Sequence, residues 1–200
     1  MSEKIRILGI APYEAMKTAM MRLAQNRTEL ELDVYVGDLH YGVEIVRHHM
    51  DEYYDAIISR GGTAELIEQI ADVPVVEISL SVYDILRAMK LAENYKERYA
   101  IVGFPSIAGS AHVLCDLLKY QIDIFTIHNG DEVLSTMEML KREGYRMVVC
   151  DMISHTKAKD LGLNTILITS GVESIESAFD QAVKISRSYM KVYHESLFLK

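Results

Sequence analysis

The sequence predicts an α/β chain built as two similar, doubly wound parallel-sheet lobes that face a ligand cleft. Three observations carry the prediction. Short apolar runs of strand length alternate with stretches whose apolar residues fall at helical spacing. This alternation passes through four strands and then begins again about 90 residues later, and self-similarity of that kind sets an architecture. One strand ends at Ser59 and gives way, across Gly61-Gly62, to a helix.

The elements follow in order. Ile5-Arg6-Ile7-Leu8-Gly9-Ile10 reads as a strand ending at Ala11-Pro12, and residues 13–23 place Ala15, Met16, Ala19, Met20 and Leu23 at helical spacing. Residues 32–36 alternate as a second strand, and 43–50 suit a helix. The third strand starts at Ala56, and the helix after it carries Leu66, Ile67 and Ile70 on one face, with Thr63 as its expected cap. Val73-Pro74-Val75-Val76-Glu77-Ile78 is the fourth strand.

The second series repeats the first. Ala100-Ile101-Val102-Gly103-Phe104-Pro105 matches Ile7-Leu8-Gly9-Ile10-Ala11-Pro12, and residues 122–127 match 32–36. Met147-Val148-Val149-Cys150-Asp151 matches Ala56-Ile57-Ile58-Ser59-Arg60, and Thr165-Ile166-Leu167-Ile168-Thr169 matches Val75-Val76-Glu77-Ile78-Ser79. Ser81-Val82-Tyr83-Asp84-Ile85 and Gly171-Val172-Glu173-Ser174-Ile175 open equivalent helices, each expected to cross to the other lobe. The expected division is 1–80 for the first lobe, completed by part of the C-terminal helix, 81–171 for the second lobe, and 172–200 for the crossover or connector helix. The apolar face of that helix, from Ile175 to Ile185, thins after Tyr189, so 191–200 read either as a connector to further chain or as a frayed end. The halves are of the flavodoxin-like kind, and their pairing is that of two-lobed, periplasmic-binding-protein-like folds.

Composition narrows the function classes. Two hundred residues, half of them hydrophobic, support a sizeable core, and a formal charge of −8 with scattered basic residues argues against direct contact with nucleic acid. Cys115 and Cys150 fit no zinc, redox or disulfide pattern, and no apolar run reaches the ~18 residues of a membrane helix. The N-terminus lacks a signal-peptide core, so a cytoplasmic location without membrane contact is expected.

The candidate chemistry gathers at strand ends, because ligands of open α/β sheets sit outside the carboxyl ends of the strands. Gly61 and Gly62 leave backbone amides unscreened at a helix start, with Arg60 beside them, which suits a carboxylate or phosphate. The alternatives are a compact strand-to-helix turn and a solvated arginine near Glu65. Thr63, Ser79 and Ser81 offer hydroxyls for a ligand or for capping, and Tyr83 follows at the start of the next helix, beside Asp84. In the second half, Pro105 and Ser106 stand before a helix, and Asp151 occupies the place of Arg60; each reads as a ligand contact or a cap.

Catalytic constellations are sparse. The pair His48-His49 points about 100° apart on a helix and cannot share a metal, and no nucleophile elbow, Walker lysine or G-x-G-x-x-G occurs. No metal, cofactor or catalytic residue is expected. Cys150 is the exception, since a two-cysteine racemase or isomerase of a small acid would carry such a thiol on each lobe. Its first-lobe counterpart here is Ser59, which removes the second base.

The runs Ala56-Ile57-Ile58-Ser59-Arg60-Gly61-Gly62-Thr63-Ala64, Pro74-Val75-Val76-Glu77-Ile78, Tyr83-Asp84-Ile85-Leu86, Leu161-Gly162-Leu163 and Ser177-Ala178-Phe179 carry a family resemblance. Across residues 5–186 the chain resembles the N-terminal sensor domain of propionate-catabolism-type, sigma-54-dependent activators, the PrpR N-terminal domain. The resemblance implies a two-lobed effector-binding module that regulates transcription, binds a small anionic metabolite, and signals through its last helix. It also implies self-association, and DNA contact only through another domain, since longer relatives continue into an ATPase and a helix-turn-helix domain. No such segment follows within these 200 residues, so the sequence is read either as a stand-alone sensor or as the sensory part of a longer protein.

Overall fold

Alternation of apolar residues along short strands decides how each sheet is sandwiched, because successive side chains point to opposite faces. The computed structural model describes residues 4–198, with side chains described through Tyr189. The chain divides into two compact units, Met1–Ser79 with Val172–Lys200, and Leu80–Gly171.

The first unit runs β1 (Ile5–Ala11), α1 (Glu14–Ala24), β2 (Leu30–Val36), α2 (Leu39–His48), β3 (Ala56–Ser59), α3 (Gly61–Glu68) and β4 (Val75–Glu77). The second runs α4 (Val82–Ala92), β5 (Tyr99–Gly103), α5 (Pro105–Leu118), β6 (Asp123–Thr126), α6 (Asp131–Arg142), β7 (Met147–Cys150), α7 (Met152–Asp160) and β8 (Asn164–Leu167). Helix α8 (Val172–Phe198) returns to the first unit. The sheets have the orders β2-β1-β3-β4 and β6-β5-β7-β8, with every pairing parallel.

Each sheet is wound on both faces. In the first unit, Ile5, Ile7 and Ile58 pack with Met16 and Met20 of α1 and Phe179 of α8, while Leu8, Ile10 and Ile57 pack with Val43, Val46 and Ile67 from α2 and α3. In the second, Ile101 and Val149 meet Ile85, Met89 and Leu114, whereas Ala100, Val102, Val148 and Cys150 meet Val133, Met137 and Leu140. Thus α4, which follows β4 in the chain, packs in the second unit, and α8, which follows β8, packs in the first.

The duplication extends to polar detail. Arg6 lies over the Tyr54 ring at 5.0 Å while the Tyr54 hydroxyl donates to Asp33 at 2.9 Å. Arg98 lies over the Tyr145 ring at 4.1 Å while the Tyr145 hydroxyl donates to Asp123 at 2.5 Å. At the carboxyl edges, Ile78 N–H donates to the Ser59 carbonyl at 2.7 Å and Ile168 N–H to the Cys150 carbonyl at 2.8 Å.

Some boundaries differ from the sequence reading. Helix α2 starts four residues before Val43, because its first turn exposes His40 and Tyr41 and gives no apolar period. Strand β4 is shorter than 73–78, since Pro74 has no N–H for a ladder and only its carbonyl is used, accepting from Ile57 at 2.9 Å. The connector expected at 191–200 lies outside the residues whose side chains are described.

Candidate functional site

Strand β3 is buried throughout, and it delivers Arg60 to the carboxyl edge of the first sheet in an extended conformation, φ −137° and ψ 143°, as the N-cap of α3. The side chain is only 7% exposed. Its Nη1 donates to the Tyr13 hydroxyl at 3.2 Å, and the guanidinium carbon stands 6.0 Å from the Tyr13 ring centroid. The solvated-arginine alternative therefore falls, since a buried guanidinium persists only where partners receive it.

Gly61 has φ +51°, a left-handed value that costs a side-chain-bearing residue about 1–2 kcal/mol. A Cβ built there would meet nothing within 4 Å, so the turn requires glycine for its backbone and not for space. Its N–H donates to Glu77 Oε1 at 3.2 Å. The parallel register sets Glu77 opposite Ser59, one residue ahead of Arg60, and this explains the contact. The chain's own carboxylate thus occupies the helix start at which a ligand anion was expected.

Thr63 does not cap α3. The helix begins at Gly61, so Thr63 lies inside the first turn, 3% exposed, and its Oγ1 accepts from Leu39 N–H at 2.9 Å. Leu39 has φ +43°, and the bond it donates to Thr63 holds that strained start of α2 in place. Gly62 is half-buried in the same turn, and Ser79 is exposed just beyond β4.

Ser81 and Tyr83 fall in the second unit. Ser81 caps α4: its Oγ accepts from Asp84 N–H at 3.2 Å, and Asp84 Oδ2 accepts from Ser81 N–H at 2.8 Å. Asp84 is 1% exposed and also accepts from Gly171 N–H at 2.7 Å and from Arg87 at 2.5 Å. Tyr83 points outward, 65% exposed. Pro105 opens α5 and Ser106 follows it, both exposed; the N-cap is Phe104, so Ser106 does not cap. Asp151 caps α7, accepting from Ser154 N–H at 2.8 Å.

Cys150 is 0% exposed within an apolar cluster, and burial, with Asp151 adding to it, pushes its thiol well above the ordinary range. Ser59, its counterpart, donates to the Ile10 carbonyl at 2.9 Å. Among the described residues no group of three His, Cys, Asp or Glu side chains could hold a metal, and no helix is long and apolar enough to cross a membrane. An open groove of about 670 Å³ lies elsewhere on the first unit, lined by Arg27, Glu29, Asp180 and Lys184. It opens ahead of β2, at the amino end of the sheet, and its Arg27 is already held by Glu29, Glu176 and Asp180 at 2.6–2.7 Å.

Sequence reasoning missed Tyr13 and Glu77 as members of the Arg60 site. The spacing held a signal for Glu77, a charged residue closing the strand beside β3.

A profile of the propionate catabolism activator family matches residues 26–191. The chain belongs to this family. The solved structures most similar to this propionate catabolism activator N-terminal domain include an NtrC family transcriptional regulator from Clostridium acetobutylicum. That structure is 25% identical, over 94% of this chain and 100% of the other, with a TM-score of 0.80. The transcription regulator CcpA of Lactococcus lactis is similar in fold, at 11% identity, over 93% and 92% of the two chains, with a TM-score of 0.50. None of the curated proteins compared matches the chain. Family and neighbour alike are regulatory, and the propionate catabolism activator N-terminal domain described here is a regulatory sensing domain with a two-lobed α/β fold.

Proposed function

We propose that this domain senses a small metabolite through its carboxylate or phosphate and that Arg60 is the principal contact. The supporting observation is a buried guanidinium at a strand's carboxyl end beside the glycine-built start of α3. In this reading the ligand anion replaces Glu77 on the Gly61 amide, with Gly62, Thr63 and Ser79 around it. Ser81, Tyr83, Pro105, Ser106 and Asp151 are the contacts proposed from the second unit. A ligand shifts a conformational population only by what it binds differently in each state, so signalling requires contacts that differ between the two states. The output is proposed to pass along α8 to the sigma-54-interacting ATPase and DNA-binding domain of a cytoplasmic, self-associating transcription regulator; this domain itself does not touch DNA.

The racemase reading needs an ionisable, accessible thiol, and Cys150 is neither. Calorimetry and thermal-shift measurements over metabolites bearing a carboxylate or a phosphate test the sensing proposal. Arg60→Ala is expected to weaken the ligands found by about tenfold or more, the loss of a charged hydrogen bond worth about 1.5–3 kcal/mol. Absence of any binder, or unchanged affinity in the variant, contradicts it.

A further inference from the structure

Helix α5 buries Ile107, Ala111, Leu114 and Cys115 in the second unit's core. Its opposite face carries Gly109, Val113 and Leu117, spaced by four and therefore aligned along the helix. All three are exposed, Val113 at 55% and Leu117 at 72%. The matching helix of the first unit shows that the fold does not require this. Counted from its N-cap Tyr13, as α5 is from Phe104, α1 turns Thr18 and Arg22 to solvent in the places of Gly109 and Val113, and it ends before the place of Leu117.

The stripe is complementary to itself. A Cβ at Gly109 would meet nothing within 4 Å, so the residue leaves a notch, and two turns further on Leu117 projects. When two such helices lie antiparallel about a two-fold axis at Val113, Val113 meets Val113, and the Leu117 of each copy enters the Gly109 notch of the other. Isologous contacts have this reciprocal form. His112 and Asp116 run along one flank of the stripe, and the same axis brings His112 of one copy beside Asp116 of the second copy. Charge favours this face for like pairing as well, because a chain of net charge −8 repels its copy except where the touching stripe carries no charge.

We propose that two copies of this chain associate through α5, antiparallel, about a two-fold axis at Val113. The proposal rests on the self-association in that functional reading and gives it a surface; it uses none of the ligand residues, so its failure leaves the ligand claim standing.

Val113→Cys tests it in the whole chain, whose own cysteines are both buried. Mild oxidation is expected to link most of the protein into a dimer resolved on a non-reducing gel, while Ala15→Cys, on exposed α1, stays unlinked. Sedimentation equilibrium of the wild-type chain is expected to give twice the monomer mass, and Leu117→Glu to halve it with an unchanged far-UV spectrum. A monomeric wild type, a Val113→Cys chain that stays reduced, or a Leu117→Glu chain that remains dimeric overturns the proposal.

Discussion

Arg60 reaches the sheet edge because Ile57, Ile58 and Ser59 before it are buried, and Tyr13 receives its guanidinium from the neighbouring loop. Glu77 then sets the local electrostatics, since a carboxylate at a helix start is stabilised by about 0.3–1 kcal/mol and competes with any other anion there. Glu77→Gln is therefore expected to tighten binding of carboxylate or phosphate ligands by about two- to fivefold, read by calorimetry; weaker binding would make Glu77 a ligand contact instead. The thiols give a second prediction. Burial raises both Cys115 and Cys150, so both stay protonated at neutral pH, and native protein is expected to react with a thiol reagent far more slowly than unfolded protein. Fast reaction of Cys150 would reopen the racemase reading. The sequence made Arg60, Gly61 and Gly62 visible as a strand-to-helix turn. It hid Tyr13, which joins them only from the loop before α1, and it showed Glu77 only as a charged residue closing the next strand, without the parallel register that sets it beside Gly61.

At the scale of elements, the central strands are legible in the sequence and the helix starts less so. The apolar runs of β3, β5 and β7, and of β1 from Ile7 onward, are continuous, since central parallel strands are covered on both faces, and such runs stand out. Helix starts depend on φ values at single residues. The positive φ of Gly61 lets α3 begin two residues before Thr63, and that shift turns the expected cap into a brace for Leu39. Thr63→Val keeps the shape and removes the acceptor, leaving Leu39 N–H unpaired, and is expected to cost about 1–3 kcal/mol in urea unfolding. Asp151→Ala is expected to cost about 1 kcal/mol, through loss of its bond from Ser154 N–H. Ser106→Ala, at a residue that caps nothing, is expected to leave stability unchanged.

Across the whole molecule, the duplicated half-unit was legible because its strand sequences repeat in order. The Arg–Tyr–Asp triplets were not, since their members lie on separate elements with no common motif. The second of them bears on acid stability. The hydrogen bond from Tyr145, then that from Arg98, holds the Asp123 carboxyl below its usual range. Glu29 is held low by its own backbone amide and then by Arg27. Carboxylates depressed in the folded state stabilise it above their unfolded values, and that stability is lost as pH falls through the folded ones. Thermal stability is accordingly expected to decline below about pH 4.5, and Tyr145→Phe to flatten part of that decline by releasing Asp123.

The central claim is that the Arg60 turn receives the effector, and amide chemical shifts test it most directly. Titrating ¹⁵N-labelled protein with a metabolite that raises its melting temperature is expected to move the Gly61 and Gly62 resonances first and furthest, and Arg60→Ala to abolish those shifts. Saturable binding that leaves Gly61 and Gly62 unmoved would place the effector elsewhere and contradict the account.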